Sequence, residues 1–112
     1  MGTPTIGQGD ALRLRCPVTN DGEEILIGNI EKVEFSFNED NPIIKTYPGE
    51  VTYDAENARF EVPLTQEETF SFPGNSAVAV DCRVKFIGDD NVRKCRRWIY
   101  VTVNESISKE VL

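Results

Sequence analysis

Between residues 58 and 87 the chain alternates apolar and polar residues twice over, and this limits the fold more than any other stretch. In 58–65, Phe60, Val62 and Leu64 share one face, with Arg59, Glu61 and Pro63 on the other. In 77–87, Val78, Val80, Cys82, Val84 and Phe86 lie opposite Asp81, Arg83 and Lys85. Successive side chains of an extended strand point to opposite sides. A period of two with one apolar face therefore describes a sheet packed on one side and wet on the other.

The residues joining these strands carry their own signals. Thr65 followed by Glu68 matches the reciprocal cap of a helix start, so 66–69 is expected to form one short helical turn. Phe70 and Phe72 come next, and at least one is expected to plug the end of the core. Pro73-Gly74-Asn75 turns the chain into the second strand.

Further strands are expected over 11–16, 31–38, 43–47, 50–53 and 94–103, with 23–27 a covering loop or short strand. Turn compositions separate them: Gln8-Gly9-Asp10, Thr19-Asn20-Asp21-Gly22, Glu39-Asp40-Asn41-Pro42, Pro48-Gly49 and Gly88-Asp89-Asp90-Asn91. About seven strands and one helical turn in 112 residues fit a single immunoglobulin-like antiparallel β-sandwich, 1–112. The ends, 1–7 and 104–112, are the segments expected to be loose. A chain of this size buries roughly two-thirds of its extended surface, enough for one core. The strand faces place Leu12, Leu14, Val33, Phe35, Phe60, Val62, Leu64, Val80, Val84, Ile99 and Val101 in that core. The pattern of two cysteines with a tryptophan between them is not matched, because Trp98 follows all three cysteines.

Composition narrows the chemistry. The formal charge is −7, which disfavours nucleic acid and anionic membranes as partners. There is no histidine, so the commonest general base and metal ligand is missing. Cys16, Cys82 and Cys95 form no C-x-x-C pair, and their odd number without a secretory leader points to reduced, buried thiols. No apolar run reaches the 18 or so residues of a membrane span. Glu67-Glu68 reads as a helix cap and Asp89-Asp90-Asn91 as a hairpin turn. Arg93, Lys94, Arg96 and Arg97 read as a strand start pairing with surplus acids. No catalytic residue, cofactor or metal ligand is expected.

One surface stands out. If Ile99 and Val101 face the core, Trp98 and Tyr100 face outward, flanked by Arg83 and Arg96. Trp, Tyr and Arg are the residues enriched at interface centres, and a strand apolar on both faces is normally covered on both. These four residues form the candidate interaction surface.

The run from Asp54 to Thr69 resembles a recurring segment of small structural proteins of phages and prophages. It has an aspartate-containing turn, an aromatic strand ending Leu64-Thr65, then Gln66-Glu67-Glu68-Thr69 before a long strand rich in Val and Arg. Gln8-Gly9-Asp10 before a strand is also similar to that family, as is Val103-Asn104-Glu105-Ser106-Ile107-Ser108-Lys109-Glu110-Val111-Leu112. Such proteins belong to tail and baseplate modules and resemble the immunoglobulin-like N-terminal domain of baseplate upper proteins. The resemblance implies a non-enzymatic assembly protein whose partners are other phage structural subunits or further copies of itself. It implies a location in the bacterial host cytoplasm during assembly and then in the virion tail. The other reading of the same surface is an adhesive or ligand-binding module for carbohydrate or protein.

Overall fold

The computed structural model describes residues 5–20, 23–24, 26–94 and 99–112. Its strands are β1 (Thr5–Gly7), β2 (Leu12–Cys16), β3 (Thr19–Asn20), β4 (Glu23–Glu24), β5 (Ile30–Phe37), β6 (Ile43–Tyr47), β7 (Thr52–Asp54), β8 (Arg59–Leu64), β9 (Ser76–Phe86), β10 (Val92–Lys94) and β11 (Ile99–Asn104). A 3₁₀ turn covers Ile27–Asn29, and the one α-helix, α1, covers Gln66–Phe70.

The strands form a larger curled sheet ordered β1-β11-β9-β5-β6, with β10 also paired to β9, and a smaller antiparallel sheet ordered β2-β8-β7. β3 and β4 make a separate two-stranded ribbon. The larger sheet is mixed, which corrects the expectation of purely antiparallel pairing: β1 runs parallel to β11, with Ile6 opposite Val103. Thr5–Gly7, part of the segment expected to be loose, supplies an edge strand. The one large apolar side chain of β1, Ile6, is buried, and burying it favours order over fraying there.

The alternating faces are as the sequence dictates. Val33, Phe35, Phe60, Val62, Leu64, Val80, Val84 and Val101 are all buried, as is Leu14. Leu12 is only half-buried and packs at the margin of the core, because β2 is an edge strand and Leu12 begins it. The Ile99 side chain lies outside the described residues. Phe60, 1% exposed, is the contact between the two sheets. Its ring lies 5.8 Å from Phe35 and 5.3 Å from Tyr47 on the larger sheet, and 5.0 Å from Tyr53 on its own. Edge-to-face pairs of this kind add to the area each ring buries.

Most strand boundaries shift by a residue from expectation, and three differences matter for the fold. The strand expected over 50–53 is β7, Thr52–Asp54. Ala58 belongs to the turn before β8, at φ 52°. The strand expected over 94–103 is divided: Lys94 pairs with Arg83, but Ile99 pairs with Val80. The chain therefore advances five residues on one side (99 − 94) against three on the other (83 − 80).

Candidate interaction surface

The outer face of the larger sheet is where the sequence places its candidate surface. Tyr100 stands opposite Ala79 on β9 and is half exposed. Arg83 also faces outward, four residues further along β9, so roughly 13 Å from the Tyr100 pair at strand spacing. Arg83 is already engaged: its Nε and Nη2 donate to Glu34 Oε1 at 3.0 and 2.7 Å across the β5–β9 ladder. Trp98 and Arg96 lie outside the described residues, as do Arg97 and Cys95.

Most of this outer face is polar. Lys85 pairs with Glu31 at 2.8 Å and Lys94 with Asp81 at 3.5 Å. Arg93 pairs with Asp89 at 3.5 Å, so the described part of the basic cluster does meet acids. Asp89 Oδ1 also accepts the Asn91 N–H at 2.9 Å, which fixes the hairpin turn. This hydrogen bond is the largest influence holding the Asp89 carboxyl below its ordinary value. Exposed ion pairs of this kind contribute little to stability each. Among the described residues, Tyr100, Ile44 and Val92 are the large apolar side chains exposed on this face.

A second site was not apparent from composition or spacing. At the Ser76 end of β9, three segments far apart in the chain meet. The Gln8-Gly9-Asp10 turn lies against α1 and against the tail. Thr69, fully buried, is the centre: its hydroxyl oxygen accepts the Gly9 N–H at 2.9 Å and lies 2.9 Å from the Asp10 carbonyl and 3.1 Å from the Gln66 carbonyl, either of which can take its proton. Gln8 Nε2 donates to the Phe72 carbonyl at 2.8 Å, while Gln8 Oε1 accepts from the Ser106 N–H at 3.1 Å and from Lys109 Nζ at 2.5 Å. Asn75 Oδ1 accepts the Glu105 N–H, and Gln66 Oε1 the Leu112 N–H. Phe72 is buried beneath this assembly and stacks 6.3 Å from Phe37, so it is the plug the sequence calls for.

The helix that anchors this end is set by its own residues. Thr65 Oγ1 accepts the Glu68 N–H, and Glu68 Oε1 accepts the Thr65 N–H, completing the reciprocal cap. Lys45, on the core side of edge strand β6, reaches Glu68 at 2.8 Å. Partial burial pushes the Glu68 carboxyl up. The hydrogen bonds from Lys45 and Thr65, with the Lys45 charge, outweigh that and hold it below its ordinary value. Glu68 thus acts as a structural acid, tying helix to sheet.

Cys16, on β2, carries a free thiol that burial pushes up to about 12. At neutral pH it is a weak nucleophile, since the thiolate is the reactive form. Among the described residues, no three His, Cys, Asp or Glu side chains are grouped to hold a metal ion, and no helix is long and apolar enough to cross a membrane. In comparison with known proteins, no family model matches this chain, and no curated protein does either.

Proposed function

We propose that this chain is a non-enzymatic structural component of a phage or prophage tail or baseplate, acting through protein–protein contacts. We further infer that its strand order is immunoglobulin-like. The observation offered for the first reading is that parts of the resembling segments, Gln8-Gly9-Asp10, the last residues of the 54–69 run and the 104–112 tail, meet in one hydrogen-bonded end. The residues shared with that family have architectural roles here, as expected for a family related by scaffold rather than by a reaction.

The strand order supports the second reading. A sheet ordered β1-β11-β9-β5-β6 over one ordered β2-β8-β7 corresponds to a G-F-C-C′ sheet, extended by β1, over a B-E-D sheet. Cys16 on β2 and Cys82 on β9 then stand on the B and F strands, which carry the intersheet cysteine pair in antibody domains. Spacing in the sequence hides this, because it seeks a tryptophan on the intervening strand where this chain has Phe35.

The test is to induce the prophage that encodes the chain, purify particles, and identify their proteins by mass spectrometry, with immunogold labelling to locate the chain. Its presence at fixed stoichiometry in the tail is the expected result. Intact particles without it overturn the assignment. A binding-module reading has one observation in its favour, the half-exposed Tyr100 on a sheet face. Specific retention on a glycan array, lost in Tyr100→Ala, would establish that reading instead.

A further inference from the structure

β1 and β2 are the neighbouring edges of the two sheets, and between them runs an open groove of about 540 Å³ lined by Thr5, Ile6, Leu12 and Leu14 with Asp10, Arg13 and Arg15. Its floor is apolar: Ile6 and Leu14 are core residues and Leu12 is half-buried. Arg13 and Arg15 are exposed on its rim. Among the described residues neither makes an ion pair, in a chain whose net charge is −7. Among the described residues the backbone of β2 makes no hydrogen bonds outside its ladder with β8, so none of them pairs with its other side.

The edge at β6 is different. There Glu50 Oε2 accepts the Thr46 N–H at 3.2 Å, and the Thr46 carbonyl accepts the Val51 N–H at 3.1 Å. The chain's own turn blocks β6 to further pairing, a common protection of sheet edges. β2 lacks that protection.

The tail has the complementary chemistry. Ile107 and Leu112 are fully exposed and Val111 is half exposed, although all three are large apolar residues. Beside them Glu110 makes no ion pair among the described residues. A six-residue extended segment spans roughly 20 Å, close to the length of five-residue β2. We propose that the 107–112 segment of one copy, releasing its Lys109–Gln8 and Leu112–Gln66 hydrogen bonds, docks in the β1–β2 groove of a second copy, adding an antiparallel or parallel strand to β2. Ile107 and Val111 then lie over the apolar floor at Leu12, Lys109 on the same face stands beside Asp10, and Glu110 on the other face meets Arg13 or Arg15. Strand addition to an open edge draws affinity from main-chain hydrogen bonds and specificity from alternate side chains. The inference does not depend on the phage assignment, since it concerns copies of this chain alone.

One tail buries far less area than a standard interface, so the association is expected to be weak. Sedimentation velocity on the full chain, up to roughly 1 mM, should show concentration-dependent self-association. Two variants test its route: a chain ending at Ser106, and Arg13→Glu with Arg15→Glu. Circular dichroism and thermal melts establish that each is folded. Each should self-associate more weakly by about tenfold or more. Mixing the two should restore a one-to-one complex, because one supplies the groove and the other the tail. Adding Glu110→Arg to the groove variant should also restore association. A wild-type chain that stays monomeric overturns the proposal. So does self-association that survives either variant, which would place the contact on another surface such as the Tyr100 face.

Discussion

At the Ser76 end of β9, the turn at 8–10, helix α1 and the tail are joined by side-chain hydrogen bonds around one buried hydroxyl. Beyond Phe86, at the other end, the connections are short turns. Asn29 N–H donates to the Leu26 carbonyl, Asp89 N–H to that of Phe86 and Asn91 N–H to the Asp89 carboxylate, while one backbone bond, Ile87 N–H to the Asn29 carbonyl, ties the two turns together. Leu26, Ile87 and Val92 stand exposed there, at 69%, 63% and 55%. Both ends solve the same problem, closing two sheets whose strands stop. One end does it with long-range side-chain contacts between distant segments, the other mainly with local turns. A long-range knot should be sensitive to small changes in any of its parts, while local turns should tolerate them.

The widest gap between the ends should appear at two glycines with nearly the same backbone. Gly9 has φ +84° and Gly88 has φ +79°, both in the left-handed region. A β-carbon on Gly9 would lie 2.6 Å from the Phe70 ring, whereas one on Gly88 would meet nothing within 4 Å. Gly88→Ala should cost about 1 kcal/mol, the backbone penalty alone. Gly9→Ala should cost about 2–3 kcal/mol, because Phe70 must also move. Urea denaturation of both variants checks this. Equal losses would mean that the ring yields freely and that this end is less tightly built than its contacts suggest.

Thr69→Val comes next in size. The substitution keeps the shape of a fully buried side chain but leaves the part-buried Gly9 N–H without its acceptor, a loss of about 1–2 kcal/mol. Amide exchange at Gly9 should accelerate by more than the global change, since the N–H loses its own partner. If exchange there follows only global unfolding, the hydroxyl has another substitute and the knot is redundant.

The sequence makes legible what repeats locally. The faces of β2, β5, β8 and β9 follow from alternation, and the Thr65–Glu68 cap from a four-residue pattern. β1 is not legible, because Thr5-Ile6-Gly7 holds one apolar residue and its parallel partner is nearly a hundred residues away. The same limit hides the polar knot. Gln8, Thr69 and Asn75 are ordinary polar residues until the fold brings them together, and a buried threonine carries no mark in the sequence. The candidate surface was legible only in part. Alternation correctly turns Tyr100 and Arg83 outward, but it cannot reveal that Arg83 already holds Glu34 across the ladder. Nor can it reveal the two-residue shift in register between β10 and β11.

At the far end, Ala58 offers a gain. It closes the β7–β8 turn at φ 52°, where a β-carbon is disfavoured. The rest of that turn is well made: Asp54 accepts from the Asn57 side chain at 2.8 Å and from the Glu56 N–H at 3.1 Å. Ala58→Gly removes the clash at the cost of a looser unfolded chain, and should stabilise by about 0.5–1 kcal/mol. A thermal melt reads the sign directly. A loss would show that the methyl group packs against the turn and matters more than the backbone strain.

The smallest expected effect is the sharpest test of the contrast. Leu26→Ser, Ile87→Ser and Val92→Ser each remove an apolar side chain that is more than half exposed. Water already reaches these groups, so little burial is lost, and each variant should fall within about 0.5 kcal/mol of the parent. The polar knot at the other end gives no such latitude to Gly9 or Thr69. If one of the three serines instead costs as much as Thr69→Val, that side chain is covered in the folded molecule, and the local-turn description of this end is wrong.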